Sequence, residues 1–251
     1  MTCAGGSAAG LEGSSGHLRC FAMPKMKRPV FEKFSGFPKD AVAFLTELEE
    51  NNNRAWFQEN KTRYQAVLKE PFEAFVEDAE SSFGSGKKFR IYQDQRFHKN
   101  KPPYKTHGSA VFEKHGVVHY VHLEKDHLFV AAGCHMMARD QLKRFWEAID
   151  DNKSGRKLET LVAAAEKAKF EIGGSALKTA PRGYPKDHER IVLLRHKGLT
   201  VARRFEKKAW FHTKQCAERV VDVWEAAAPI SDWLRKFVGE SEEGRRFVKR
   251  T

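Results

Sequence analysis

The stretch Ser109–Gly133, SAVFEKHGVVHYVHLEKDHLFVAAG, decides the fold. Three runs in it, Ser109 to Lys114, Val117 to Leu123 and Leu128 to Gly133, read as strands, with His115-Gly116 and Lys125-Asp126 between them as turns. A two-residue first turn sets Phe112 opposite His119 and Ala110 opposite Val121, and the second sets Val121 opposite Val130. One face of the resulting antiparallel meander carries Ala110, Phe112, His119, Val121, Leu123, Leu128 and Val130, a surface fit for a core. The other carries Val111, Glu113, Tyr120, His122 and Phe129 and is mixed.

Helices flank the meander. Ahead of it, Ala41, Phe44, Leu45 and Leu48 fall on one helical face behind Asp40 as a cap, and Asn51-Asn52-Asn53 ends that helix. A second helix with Trp56, Tyr64, Val67 and Leu68 should stop near Glu70, because Pro71 disfavours helical geometry at the residue before it. Pro71 then suits the first turn of a third, with Phe72, Phe75, Val76 and Ala79 inward. Behind the meander, Leu142, Phe145, Trp146 and Ile149 repeat at helical spacing, as do Leu158, Leu161, Val162 and Ala165. A short helix near Ile191 to Leu194, one capped by Thr213 with Cys216, Val220, Val223 and Ala227, and one started by Pro229 complete the chain. The fold class is α+β: an antiparallel β-meander packed with N-terminal and C-terminal helices.

Composition bounds the rest. The 251 residues are 41% hydrophobic and 12% aromatic, which excludes wholesale disorder. No run approaches the roughly 20 apolar residues of a membrane span, and Cys3, Cys20, Cys134 and Cys216 form no C-x-x-C pair, so a reducing, cytoplasmic setting is expected. Residues 1–28, rich in Gly, Ala and Ser, read as a disordered leader or as chain preceding a start at Met23 or Met26, with a weak alternative as an organellar targeting segment. Residues 29–240 read as one domain and 241–251 as a basic tail.

The net charge of +12 is concentrated: from Gly86 to His107 seven Lys or Arg face the single carboxylate Asp94. Alternation from Phe89 to Phe97 reads as a strand with Phe89, Ile91 and Phe97 on one side and Arg90, Tyr92, Asp94 and Arg96 on the other. Such a row suits a phosphate or carboxylate held by guanidinium forks that Asp94 orients, with Pro102-Pro103 stiffening the presentation of Lys101, Tyr104 and Lys105. A surface ion-pair ladder is the competing reading.

The run Arg90-x-x-Gln93-Asp94-x-Arg96-Phe97-x-x-Asn100-Lys101-x-Pro103-Tyr104 resembles a bacterial and fungal family of conserved hypothetical proteins, a domain of unknown function with the hallmark R-x-x-R-D-x-R-F-x-x-[DN]-K-x-P-Y. Gln93 stands where that family has Arg. Asn52-Asn53-Arg54-x-Trp56-Phe57 with Asn60-Lys61 and Tyr64 is similar to the family's N-terminal signature. Leu177-Lys178-x-x-Pro181-Arg182-Gly183-Tyr184 with His188 and Leu194-Arg195-x-Lys197 is similar to its C-terminal one. The resemblance covers about residues 33 to 240 and implies no activity.

Other signals are weaker. Seven of the eleven histidines lie between His98 and His135, but His119 and His122 point to opposite faces of one strand and cannot chelate one ion from it, so no metal site is expected. Leu177 stands where a phosphate loop needs Gly. Tyr92, Tyr104, Tyr120 and Phe129 accompany basic residues and could stack bases. Three functions compete: a module binding phosphate groups of a nucleotide or nucleic acid through Arg90, Arg96, Lys101 and Lys105, oriented by Asp94 and joined by Tyr104, Arg182 and Lys197; an enzyme on an anionic substrate with Asp94 or His188 as acid or base; and an interaction scaffold. No cofactor, no membrane and no particular oligomeric state is implied.

Overall fold

The computed structural model describes residues 28–94 and 101–243. Nearly all of the expected leader and tail, and Arg96, Phe97 and Asn100 of the basic motif, lie outside the described residues.

The meander forms as its sequence dictates. Strands β2 (Gly108–Lys114), β3 (Val117–Leu123) and β4 (His127–Cys134) pair antiparallel with Phe112 opposite His119, Ala110 opposite Val121 and Val121 opposite Val130. The first turn holds φ at +52° for His115 and +76° for Gly116. Positive φ at both central residues is what a two-residue hairpin needs for its twist to match the strands. Ala110, Phe112, His119, Val121, Leu123, Leu128 and Val130 are all buried.

The sheet is wider than the meander. Among the described residues it has six strands in the order β1-β2-β3-β4-β6-β5, adding β1 (Ser85–Lys88), β5 (Glu171–Gly173) and β6 (Leu199–Glu206), and every neighbour is antiparallel. β6 gave no clear sign in the sequence because its outer half, Arg203 to Glu206, puts charge on both faces.

Helices α4 (Glu70–Phe83), α8 (Gln215–Ala226) and α9 (Ala228–Phe237) cover the apolar face. Trp224 of α8 lies within 6.0 Å, ring to ring, of Phe75 and Phe83 from α4, Phe112 from β2 and His119 from β3, and its indole N–H donates to the Ala131 carbonyl of β4 at 3.1 Å. Helices α5 (Arg139–Asp150) and α6 (Asn152–Lys167) extend this layer through Phe145, Ile149 and Leu158, and α7 (Ile191–Leu194) closes it with Leu193 and Leu194. Among the described residues no helix is long and apolar enough to cross a membrane.

Four local expectations are corrected. Helix α1 (Lys39–Glu50) starts behind Pro38, and Asp40 sits in its first turn rather than capping it, its carboxylate accepting from Arg63 Nε and Nη2 at 2.7 and 2.6 Å. The chain does not break at Glu70. After α2 (Arg54–Glu59) and α3 (Lys61–Tyr64), residues 65–69 form a π turn and Glu70 keeps helical dihedrals. Its N–H reaches back to the Gln65 carbonyl, and that wider turn accommodates the Pro71 ring, which would strain a regular helix. Thr213 does not cap α8; its hydroxyl donates to the Trp210 carbonyl. Finally, the regular strand lies ahead of the expected Phe89–Phe97, at Ser85–Lys88, and Phe89 to Asp94 form no regular strand; the rest of the expected stretch lies outside the described residues.

Beyond Lys88 the pairing continues irregularly. Phe89 N–H reaches the Ser109 carbonyl, Lys105 N–H the Ile91 carbonyl and Gln93 N–H the Pro103 carbonyl, with Tyr92 bridged to Tyr104. Pro102 and Pro103 have no N–H to donate, so an unbroken ladder is impossible here. The chain bends at Ile91, which is why Phe89 and Ile91 do not share a face: Ile91 is buried and Phe89 exposed.

His119 gives this core a pH sensitivity. Its ring is fully buried between Phe83 and Trp224, and neither nitrogen has a hydrogen-bond partner among the described residues. Burial first, then the charges of Arg235 and Lys114, pushes its pKa from 6.5 down to about 3. The unfolded chain therefore binds a proton that the native chain refuses, so stability is full above pH 6.5 and falls as pH drops toward 3, by about 1.4 kcal/mol per unit. Urea unfolding of His119→Leu should show a loss of stability between pH 7 and pH 5 that is smaller than the wild-type loss by about 2 kcal/mol. Equal losses in the two proteins would refute the assignment.

Candidate functional site

The sheet has one face for the core and one without described helical cover. On the second face, alternation brings up Lys87 of β1, Ser109 and Val111 of β2, Tyr120 and His122 of β3, Phe129 of β4 and Arg204 of β6, through the pairs Lys87–Val111, Val111–Tyr120, His122–Phe129 and Phe129–Arg204. Their rings form a continuous row. Phe89 meets Tyr120 edge-on at 6.3 Å, Tyr120 meets Phe129 at 6.4 Å, and His122 stacks on Phe129 at 5.0 Å with 21° between planes. His107 adds to the row 5.3 Å from His122.

Cations border these rings. Lys87 and Lys105 stand over Phe89 at 5.8 and 5.3 Å, and Arg204 over Phe129 at 5.7 Å. Lys105 Nζ also donates to the Arg90 carbonyl at 3.1 Å. Burial, and next the Arg90 charge, lowers the Lys105 pKa from its ordinary value. Burial lowers His107 too, and takes His122 down to about 3 with help from His107, His127 and Arg204. At neutral pH these two largely buried imidazoles are therefore uncharged, and the positive charge belongs to Lys87, Arg90, Lys105 and Arg204.

The motif residues divide by role. Arg90, Asp94 and Lys101 are exposed, the last two flanking residues 95–100, which lie outside the described residues together with Arg96. Tyr104 is buried: its ring stacks on Phe57 at 3.9 Å and 16°. Its backbone N–H donates to Asn52 Oδ1 at 3.0 Å and its carbonyl accepts from Asn52 Nδ2 at 2.9 Å, so a side-chain amide completes the pairing that an adjacent strand would give. Asn53 next door accepts from Trp56 N–H and caps α2. The N-terminal signature thus serves as the bracket for the central motif.

Arg182 and Lys197 stand elsewhere. Lys197 accepts at its carbonyl from Met137 N–H, just beyond the Cys134–Leu199 end of the sheet. Lys105 lies beyond the Gly108–Leu123 end. The eight residues of β4 separate the two ends by roughly 24 Å at about 3.4 Å per residue. Arg182 is on the loop anchored at that far end, where Tyr184 packs edge-on against Trp146. His188, the alternative to Asp94 as an acid or base, has Nε2 3.0 Å from Asp150 Oδ1 and accepts at Nδ1 from Arg190 N–H. Arg190 donates to the Ile149 and Asp150 carbonyls at the end of α5.

One grouping escaped the sequence argument. His122, Glu124 and His127 place a nitrogen or oxygen each within 4.8 Å of one another. The same-strand rule compared His119 with His122, and these do lie on opposite faces. The register already in hand, carried around the Lys125-Asp126 turn, puts His127 beside His122 on the mixed face, two residues before Phe129.

Residues 40–233 match the model of a family described as Conserved hypothetical protein (DUF2461), in line with the expected resemblance to a family of conserved hypothetical proteins. No curated protein and no solved structure matches the chain.

The bracket is testable. Asn52→Ala leaves both backbone groups of the buried Tyr104 without their partners, which costs about 1–3 kcal/mol. Urea unfolding should register that loss, and an unchanged stability would remove Asn52 from the support of the motif.

Proposed function

We propose, for a chain that belongs to the conserved hypothetical family DUF2461, that the uncovered sheet face binds single-stranded nucleic acid. The supporting observation is the row Phe89, Tyr120, His122 and Phe129 flanked by Lys87, Lys105 and Arg204. Bases stack on ring faces whatever their sequence, and cations alongside follow the phosphates. A face that is broad rather than deep suits an extended polymer better than a small ligand, which needs most of its surface enclosed. A space below Phe89 and His107 has a volume of only about 10 Å³, and a larger cleft beside α4 sets Glu73, Glu77 and Glu80 against the single cation Lys88, a balance unfavourable to phosphate.

Arg90 extends the same basic edge, so the exposed Asp94 and Lys101 would meet the polymer as it leaves the sheet, while Arg96 lies outside the described residues. Arg182 and Lys197 belong to the other end and are not part of this path. Tyr104 contributes by fixing the loop rather than by touching ligand.

Fluorescence anisotropy with a labelled single-stranded oligonucleotide tests the reading. Affinity should fall steeply with salt, and Lys105→Ala should reduce the magnitude of the log–log slope by about 0.7. Phe89→Ala should weaken binding by about 1–3 kcal/mol with the slope unchanged. Absence of binding at low salt would end the proposal.

A further inference from the structure

His122, Glu124 and His127 lie at the edge of this face, and their chemistry differs from base stacking. We propose that they form a binding site for a divalent first-row transition ion of the zinc class, held by the two Nε2 nitrogens and a Glu124 carboxylate oxygen. This goes beyond the nucleic-acid reading and does not depend on it.

The geometry comes from the turn. Glu124 N–H donates to the His127 carbonyl at 2.9 Å, closing the β3–β4 hairpin and aligning all three side chains at its end. His122 Nε2 is then 3.4 Å from His127 Nε2 and 3.5 Å from Glu124 Oε1. Two nitrogens at about 2.0–2.1 Å from a tetrahedral zinc ion are about 3.3–3.4 Å apart, so the imidazoles already stand at the ligand spacing. Glu124 is about one-third exposed and free to rotate its carboxylate toward the same point.

The far side of each ring is also engaged. Asp126 Oδ1 lies 2.5 Å from His127 Nδ1, and the Tyr120 hydroxyl lies 3.2 Å from His122 Nδ1. A proton held on each Nδ1 by these oxygens leaves both Nε2 lone pairs facing one another, the arrangement that carboxylate–histidine–metal sites use to orient their ligands. Two facing lone pairs need a positive group between or beside them. In the described structure Arg204 supplies one, its Nη1 2.8 Å from His127 Nε2. Arg204 is exposed and can withdraw, so it acts as the cation that the ion replaces. Two imidazoles and one carboxylate favour zinc or a similar borderline ion over magnesium, and three protein ligands leave a fourth position for water or a substrate oxygen.

Calorimetric titration of the full-length chain with Zn²⁺, in the absence of nucleic acid, tests the site. One tight equivalent is expected, Mg²⁺ should not compete for it, and His122→Gln combined with His127→Gln should abolish it. Two exposed substitutions guard against a folding defect in that double variant. Asp126→Asn should weaken Zn²⁺ by on the order of 10–100-fold. Arg204→Gln, which removes the competing cation, should tighten it by on the order of tenfold. No tight equivalent, a tight equivalent that survives the double histidine substitution, or Arg204→Gln weakening rather than tightening the ion would each overturn the proposal.

Discussion

Trp224 is the joint on which the molecule depends. Its buried indole touches rings from α4, β2 and β3 and donates to a β4 carbonyl, so one side chain ties helices from before the meander and after it to the same sheet face. Large rings buried in this way contribute several kcal/mol each, typically about 3–5 when truncated to Ala. The β-meander alone has nothing to bury its apolar side against; α4 and α8 meeting over Trp224 provide that cover.

The joint also explains where chemistry is placed. With the described helices committed to one face, the other presents side chains that a core would reject. Lys105, Arg204 and the uncharged His107 and His122 stand there over or beside aromatic rings. The basic motif is only partly devoted to this surface. Tyr104 and Ile91 are buried, and the Asn52 amide and Phe57 ring lock the motif to α2. The same short run therefore anchors a loop and displays Arg90 from it.

How far the sequence could be read depended on whether local rules were in conflict. From Ser109 to Gly133, alternation, turn residues and core volume agree, and the register follows to the residue. At Glu70 the rule against a helical residue before proline met a helix with strong packing on both sides, and a π turn reconciled them. At Phe89 the alternation was genuine, but two prolines on the partner strand removed the donors a ladder needs, and the chain bent. β6 was obscured because Arg203 faces the helices, where its guanidinium lies over Phe170 and donates to the Ala168 carbonyl. The candidate site is legible in its residue types and less so in how those residues are grouped in space. Lys105 and Phe129 were named from their pattern, Arg204 needed the missing strand, and Arg182 and Lys197 fall at the other end because sequence gives no distance between elements more than a hairpin apart.

Among the described residues one sheet face carries no helix and both edges stay open, and open edges invite another chain to extend the sheet, strand upon strand. Its two borders answer that hazard. β1 pairs regularly over four residues, ends in Lys87 and Lys88 and then bends away at Ile91, and β5 pairs over only three, beginning with Glu171. Short charged margins give a foreign backbone little length on which to zip and a desolvation penalty for trying. Margins of this kind keep a wide sheet from becoming a template for fibres of its own kind.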